Sequence, residues 1–309
     1  MIPPSLRQLL DATEGQRQAE WEGRPIWLAR EAWGELALSL QGAQVLHFLP
    51  FAPAVNAPEA ARTDPPAPEA ARTADEGWLW VTPTPQALPG AIRGGIPLCW
   101  PWFANESPDG QGPKHGTARL ADWRLDALDE HEEGIELHLS PEARLHEQLT
   151  PRAVIQANAR RLHVELITEH RGETPVKFTA ALHSYFSVAH SHRCRVEGLA
   201  GARYLDKLKG FAESVQQGEP GIRGAIDRIY QSNHAVVLDD GARRLRIAKQ
   251  GSDSTVVWHP DDELPADTPA EVGHRFVCVE AACTRVDPVW LVPGAQHLLA
   301  TTISREEGT

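Results

Sequence analysis

Five short segments of the 309-residue chain combine reactive side chains with rigid or aromatic neighbours. In one of them Glu280 lies between Val279 and Ala281, and a carboxylate is costly to bury unless it is paired or its proton is in use. In another, ALHSYF, we predict that His183 lies inside an aromatic strand with Tyr185 and a phenylalanine. One carboxyl and one imidazole are sufficient for general acid–base catalysis, so this pair is a candidate for proton transfer.

The other three segments supply cations, flexible backbone and indole rings. They are RGGIPLCWPWF at 93–103, HGTAR at 115–119 and DRIY at 227–230. The guanidinium groups of Arg93 and Arg119 suit bidentate hydrogen bonds to a phosphate or a carboxylate. Taken singly, each of these residues is more often a solvated charge or part of a core than a functional group.

Together and in this order, the five segments resemble the glucose-6-phosphate 1-epimerase family, a branch of the aldose 1-epimerases. The resemblance runs from about residue 33 to residue 303, and RGGIPLCWPWF followed by HG-x-AR is typical of this branch. It implies an enzyme without a cofactor that interconverts the α and β anomers of a hexose-6-phosphate. It also implies His183 and Glu280 as the catalytic residues, with Glu280 as base and His183 as acid when the ring opens.

The resemblance further assigns substrate-binding residues. It puts substrate-binding arginines at Arg93 and Arg119, a contact to sugar hydroxyls at Asp227 and a second sugar-contacting histidine at His115. Lys114 stands where some members have a glutamine that contacts the substrate. Lysine at this position either adds charge for a phosphate or points to solvent, and the sequence leaves both open.

Ten tryptophans against three tyrosines are a hint of sugar chemistry, because indole faces stack on the C–H faces of sugars. Trp100 and Trp102 flank the proposed site in sequence, and Pro101 between them makes strand geometry there uncertain. We expect at least one of the pair to belong to the core and keep Trp102 as a candidate substrate contact.

Three other functions compete with this interpretation. An aldose 1-epimerase of unphosphorylated sugars is the nearest, and the two arginines with the RGGIP segment favour the phosphorylated substrate over it. A non-catalytic carbohydrate-binding module would explain the tryptophans but not the joint presence of His183 and Glu280. A lyase or hydrolase needs a second carboxylate or a tyrosine base, which the motifs do not supply.

His183 and Glu280 lie far apart in sequence, so only a strand-paired fold can bring them together. Alternating apolar residues predict strands in ELALSL, GIELHLS and RLHVELIT, and Asp239-Asp240-Gly241 predicts a hairpin turn. Further strands are predicted in VKFTAAL, STVVW, FVCVEAA and HLLATTIS, whereas helical periodicity is limited to residues 5–12. We expect one all-β domain over residues 1–309 with few short helices; the resemblance implies a large antiparallel β-sandwich of the galactose-mutarotase type.

The segment 52–76 contains APEAART twice, ten residues apart, and has no apolar face. Two copies cannot bury a core, so a repeat fold is excluded. We predict a mobile Ala/Pro-rich surface loop at 52–76.

Composition excludes several partners and compartments. With 30 basic and 42 acidic residues the formal charge is −12, which argues against nucleic acid and anionic membranes as partners. Four cysteines without a CxxC pair, and no apparent signal peptide, favour a cytoplasmic protein with reduced thiols. We expect a monomer whose partner is a small sugar phosphate.

No metal site is expected from the motifs. His190, His192 and Cys194 lie close together in HSHRC. Because no second pair of ligands is near them in sequence, an ordinary surface turn is favoured over a metal centre.

Overall fold

A computed structural model describes residues 1–51, 77–131 and 133–306. The predicted mobile loop at 52–76 lies outside these described residues. Within them, no helix is long and apolar enough to cross a membrane.

Strands dominate the described part of the chain. The single helix found there is α1 (Pro4–Asp11), in agreement with the short helical periodicity of the sequence. The strands are β1 (Gly15–Trp21), β2 (Arg24–Glu31), β3 (Gly34–Ser39), β4 (Gln44–Pro50), β5 (Leu98–Cys99), β6 (Trp123–His131), β7 (Gly134–Pro141), β8 (Leu149–Asn158), β9 (Arg161–His170), β10 (Val176–Phe178), β11 (Ala180–Leu182), β12 (Tyr185–Ser187), β13 (Arg195–Glu197), β14 (Arg203–Asp206), β15 (Ala212–Val215), β16 (Ile226–Gln231), β17 (Val236–Asp239), β18 (Arg244–Gln250), β19 (Ser254–His259), β20 (Phe276–Cys283), β21 (Val289–Leu291) and β22 (Gln296–Arg305). Short 3₁₀ turns lie at Ala118–Leu120, Ser191–Arg193, Lys207–Lys209 and Ala270–Val272.

Two eight-stranded antiparallel sheets form the body of the protein. The front sheet has the order β15-β14-β16-β19-β20-β11-β5, and β12 also pairs with β20. The back sheet has the order β13-β17-β18-β22-β9-β8-β7-β6. A four-stranded sheet, β1 to β4, and a two-stranded ribbon of β10 and β21 complete the described architecture.

Alternation along β20 explains how the sheets pack. Val277, Val279 and Ala281 point into the main hydrophobic core, which they share with residues of the back sheet. The intervening residues, among them Glu280 and Ala282, point to the opposite face of the front sheet. The predicted antiparallel β-sandwich is therefore confirmed, and one face of its front sheet is left for a site.

The predicted hairpin is also confirmed. Asp239 pairs with Arg244, and Gly241 between them has a φ of 83°, in the region that glycine tolerates best. The Asp240 carboxylate accepts the backbone N–H groups of Ala242 and Arg243, which closes the turn.

A fully buried arginine ties the four-stranded sheet to the loop before β5. Arg24 donates to the backbone carbonyls of Gln86, at 2.6 Å, and Gly90, at 3.0 Å, and to the side chain of Gln41. A buried guanidinium is tolerable because its N–H groups find acceptors. The loop it holds lines a cavity described below.

We expect Arg24→Leu to lower the free energy of unfolding by about 2–4 kcal/mol, because buried carbonyls lose their donors. The matched control is Arg30→Leu on the same strand, where the exposed side chain pairs with Glu35; the loss should stay below about 1 kcal/mol, because Glu35 keeps Arg7 and His47 as partners. Urea denaturation of both variants measures the difference. Equal losses would contradict this role of Arg24.

Candidate active site

Strand register gathers the two candidate carboxyl groups on one face of the front sheet. Asp227 of β16 pairs with Trp258 of β19, which in turn pairs with Cys278 of β20. Glu280 is two residues beyond Cys278, so it points to the same side as Asp227. Two residues far apart in sequence thus line one surface.

His183 is brought opposite Glu280 by the register of the neighbouring strands. Leu182 pairs with Ala281 and Tyr185 with Cys278, so the residue between them that faces Glu280 is His183. Directly opposed side chains in such a pair are close neighbours.

The sequence indicated a histidine inside a strand, and this detail was wrong. Residues 183–184 interrupt the strand and separate β11 from β12. At this interruption the Ser184 N–H turns back to Leu182 O, although Ser184 O still accepts the Val279 N–H of β20 at 3.2 Å and the His183 N–H donates to Pro97 O at 3.1 Å.

The imidazole and the carboxyl form a buried, incompletely satisfied pair. His183 Nδ1 lies 3.3 Å from Glu280 Oε1, and the two residues are 6 % and 1 % exposed. Within the described residues, His183 Nδ1 and Glu280 Oε2 have no hydrogen-bond partner. His183 Nδ1 faces the Glu280 carboxyl, whereas Glu280 Oε2 is available to a bound molecule, because buried polar atoms normally have partners.

Burial decides the protonation of this pair. It raises the pKa of Glu280 well above the usual value, and the charge of Asp227 adds to the effect. Burial also lowers the pKa of His183, helped by the positive charges of Arg119 and Arg93. Both pKa shifts favour a neutral carboxyl beside a neutral imidazole. The pair then holds a single titratable proton, which is on Glu280.

Aromatic rings hold His183 in place. The ring of Tyr185 stacks on it with centroids 4.7 Å apart, and Trp258 meets it edge-on at 6.0 Å. These contacts restrict the imidazole to one orientation toward Glu280.

Arg93 lies beside this aromatic stack. Its Nε donates to Asp267 Oδ1 at 2.6 Å, and another guanidinium nitrogen donates to the Tyr185 hydroxyl at 3.3 Å. Arg93, Arg119, Tyr185 and Asp267 line a common cavity of about 270 Å³. A cavity of this size with two guanidinium groups suits a small anionic ligand.

Arg119 ends the HG-x-AR segment, and Lys114 directly precedes that segment. Arg119 donates to the backbone carbonyl of Lys114 at 2.6 Å, while its buried Nε has no partner among the described residues. Gly116 is needed between them: its φ is 78°, and a Cβ there would lie 2.1 Å from Trp100 O. The segment therefore keeps Arg119 next to the cavity.

His115 contacts His183 edge-on, with ring centroids 5.1 Å apart. Its Nδ1 accepts the backbone N–H of Ala104 at 3.3 Å, which leaves the proton of the neutral ring on Nε2. Burial, together with the nearby His183, lowers the pKa of His115, so the ring is neutral and Nε2 is a hydrogen-bond donor.

A further cation, Lys207, was missed by the sequence reasoning. Its Nζ lies 2.8 Å from Asp227 Oδ2, and its charge acts on both His183 and Lys114. The other carboxylate oxygen, Asp227 Oδ1, is buried without a partner among the described residues. Lys207 sits in a 3₁₀ turn whose sequence, KLK, resembles any solvated turn, so no signal marked it.

The two tryptophans have different surroundings. Trp100 is fully buried and donates to Thr168 Oγ1 at 3.0 Å, as expected for a core residue. Trp102 donates to Pro113 O at 2.8 Å and lines a separate groove of about 650 Å³ with Phe178. The structure therefore does not bring Trp102 to the cavity of Arg93.

Solved structures with the same fold identify the architecture. A Salmonella typhimurium protein described as a "putative mutarotase" superimposes with a TM-score of 0.82 over 98 % of this chain and 99 % of that chain, at 24 % identity. A galactose mutarotase-like protein from Clostridium acetobutylicum gives a TM-score of 0.65 over 95 % and 98 % of the chains, at 10 % identity. The fold is that of the galactose mutarotase-like β-sandwiches.

The sequence profile of the aldose 1-epimerase family matches residues 27–304. The chain belongs to this family and is an enzyme of the epimerase type.

Two sequence relatives share one name, "Putative glucose-6-phosphate 1-epimerase". The Salmonella typhimurium protein is 33 % identical over 220 residues, which cover 67 % of this chain and 72 % of that protein. The Cenchrus ciliaris protein is 30 % identical over 236 residues, which cover 67 % and 68 % of the two chains.

The raised pKa of Glu280 predicts a protonated carboxyl near neutral pH. We expect the infrared C=O stretching band of a protonated carboxyl in the unmodified protein and its loss in Glu280→Gln. Glu35→Gln is the control and should leave the band unchanged. Burial alone would raise the pKa of Glu35, but hydrogen bonds from His47 and Arg7 lower it to about 2, so this carboxyl is ionised. Because burial also raises the pKa of Asp287, the test is the difference between the two spectra, and a band of unchanged intensity in Glu280→Gln would contradict the assignment.

Proposed function

We propose that the protein is a hexose-6-phosphate 1-epimerase that interconverts the α and β anomers of glucose-6-phosphate or a similar hexose-6-phosphate. The observation that carries this proposal is the group of cations beside the His183–Glu280 pair. Arg93 and Arg119 line one cavity with Tyr185, whose ring stacks on His183, and Arg119 donates to the backbone carbonyl of Lys114. An unphosphorylated sugar would not need such a concentration of positive charge.

The reaction requires one acid and one base. The sugar ring opens when a base takes the proton of the anomeric hydroxyl and an acid protonates the ring oxygen. The open chain turns about the C1–C2 bond and closes again. We assign Glu280 as the base and His183 as the acid on opening, with the roles exchanged on closing; each contributes about 10²–10⁴-fold.

The single proton of the pair links substrate binding to these roles. Without substrate, burial favours the proton on Glu280 and a neutral His183. Opening needs the other arrangement, in which the carboxyl is ionised and the imidazole is protonated. A bound phosphate neutralises the charges of Arg119, Arg93 and Lys114, which lower the pKa of His183, and so favours the imidazolium.

Phosphate binding rests on local charge. Arg93 and Arg119 offer guanidinium donors at the cavity, and Lys114 is exposed beside them. A net charge of −12 does not prevent this, because a small dianion interacts mainly with the cations within a few ångströms of it.

The sugar ring needs donors and acceptors of its own. Asp227 Oδ1 is an unpartnered acceptor, and His115 Nε2 is a donor. We assign both to sugar hydroxyls, while Lys207 holds the other oxygen of Asp227. Trp102 has no part in this arrangement.

Glu280→Gln and His183→Ala should each lower kcat by about 10²–10⁴-fold, because each removes one of the two proton-transfer groups. The measurement is a coupled assay that consumes β-glucose-6-phosphate, with the spontaneous rate subtracted. Circular dichroism and a cooperative urea transition establish that the variants are folded.

A second buried histidine–carboxylate pair provides the matched control. Glu35 Oε2 lies 3.2 Å from His47 Nε2 near α1, remote in the fold from the front-sheet face. Glu35→Gln should keep the normal kcat per folded molecule. Near-normal activity in either Glu280→Gln or His183→Ala would refute the catalytic assignment.

Arg93→Ala and Arg119→Ala should each lower kcat/KM for glucose-6-phosphate by about 10–100-fold, the usual effect of losing a charge-assisted hydrogen bond. Turnover of free glucose should change less than about threefold. Arg124→Ala, at an exposed ion pair of β6, is the control. Equal losses for both sugars would mean that these arginines hold the sugar ring or the fold instead of the phosphate. If the unmodified protein has no activity on either sugar, only the carbohydrate-binding module is left as a function.

A further inference from the structure

Four histidines meet where β19 ends and β20 begins, outside the His183–Glu280 pair. His190 and His192 come from the HSHRC segment, and His259 and His274 flank a later loop. The ring centroid of His274 lies 4.8 Å from the centroids of both His190 and His192, and the centroids of His190 and His192 are 5.2 Å apart. The second pair of ligands that HSHRC lacked in sequence is supplied here by the tertiary structure.

Three of the side chains at this place can reach a common point. The ligand atoms of His192, Asp261 and His274 all lie within 4.8 Å of one another. His192 Nε2 is 2.7 Å from Asp261 Oδ1, and the side chains of all three residues are partly exposed. An ion could therefore enter from solvent without opening the core.

The backbone carrying these ligands is held rigidly. The buried His259 accepts the Asp261 N–H at 3.0 Å through Nδ1 and donates to Gly273 O at 3.1 Å through Nε2. Buried Ser191 bonds His274 twice, through its N–H to the carbonyl and through Oγ to Nδ1 at 2.9 Å. Preorganised ligands with such supporting bonds are typical of metal sites.

The contact with Ser191 also selects the free nitrogen of His274. With Nδ1 engaged at 2.9 Å, Nε2 remains for an ion, and Asp262 Oδ1 lies 4.0 Å from it.

We propose that His192, Asp261 and His274 form a binding site for a divalent transition-metal ion such as Zn²⁺. Two imidazoles and one carboxylate are a donor set that Zn²⁺ accepts in proteins, with water in the remaining position. In such sites the donors lie about 2.0–2.2 Å from the ion.

The remaining groups of the cluster have other roles. The ring of His190 lies parallel to that of His274, with an interplanar angle of 9°, and its Nδ1 accepts the His192 N–H. Cys194 is buried in the main core and is not a ligand. Arg223 donates to the carbonyl of His192, so the nearby positive charge is directed at the backbone.

The site would clamp the loop that supports Arg93. Asp261 and His274 stand at the two ends of a segment that contains Asp267, the carboxylate partner of Arg93. An ion bound at both ends would restrict that segment and raise the thermal stability of the protein. This proposal does not rest on the proposed substrate.

Zinc binding to the full chain, stripped of metal by chelation, tests the site by isothermal titration calorimetry. We expect one Zn²⁺ per chain at this site and at least about 10-fold weaker binding in His192→Ala and in Asp261→Asn. Zn²⁺ should raise the Tm of the unmodified protein but not that of His192→Ala. The partly exposed His192 can be replaced with little effect on folding.

A second group of three possible ligands, one histidine and two carboxylates, supplies the control. His138, Asp129 and Glu136 also lie within reach of a common ion, on the hairpin of β6 and β7. His138→Ala should bind Zn²⁺ at the proposed site as the unmodified protein does. The proposal is overturned if the unmodified protein binds no Zn²⁺, if His192→Ala and Asp261→Asn bind it normally, or if only His138→Ala loses it.

Discussion

An imidazole and a carboxyl face each other in the front sheet because the register of β11 and β12 against β20 sets His183 opposite Glu280. The 3.3 Å between Nδ1 and Oε1 follows from this pairing and from the ring of Tyr185, which fixes the imidazole. A slip of one residue would turn Glu280 into the main core. The hydrophobic residues on the inner face of β20 therefore protect the register and, with it, the site.

The surroundings of this pair combine low exposure with concentrated positive charge. Burial keeps the His183–Glu280 pair neutral. Three of the nearby cations keep a partner: Asp267 for Arg93, Asp227 for Lys207 and a backbone carbonyl for Arg119. Such partial pairing lets the protein hold several like charges near one another at moderate cost. An anion that enters replaces solvent around groups already held in place.

Much of the fold and part of the site were predictable from local patterns. Alternating apolar residues marked the strands, and a carboxylate within an apolar strand marked Glu280, since each reflects which face of a strand is buried. Lys207 and Asp267 could not be predicted. Both lie in turns or loops without periodicity, and their roles come from partners that only the folded chain brings near. Trp102 was singled out for its chemistry, yet its indole N–H is engaged by Pro113.

The sequence by itself determined the family, the all-β architecture and the candidate reactive groups, because motif order and the two-residue period of strands are local properties. Only the tertiary structure decided which groups meet. Strand register brought His183 to Glu280, and the packing of two distant segments brought His192 to Asp261 and His274. Contacts between segments far apart in sequence depend on the order of strands in the sheets and the path of loops, which no local pattern specifies.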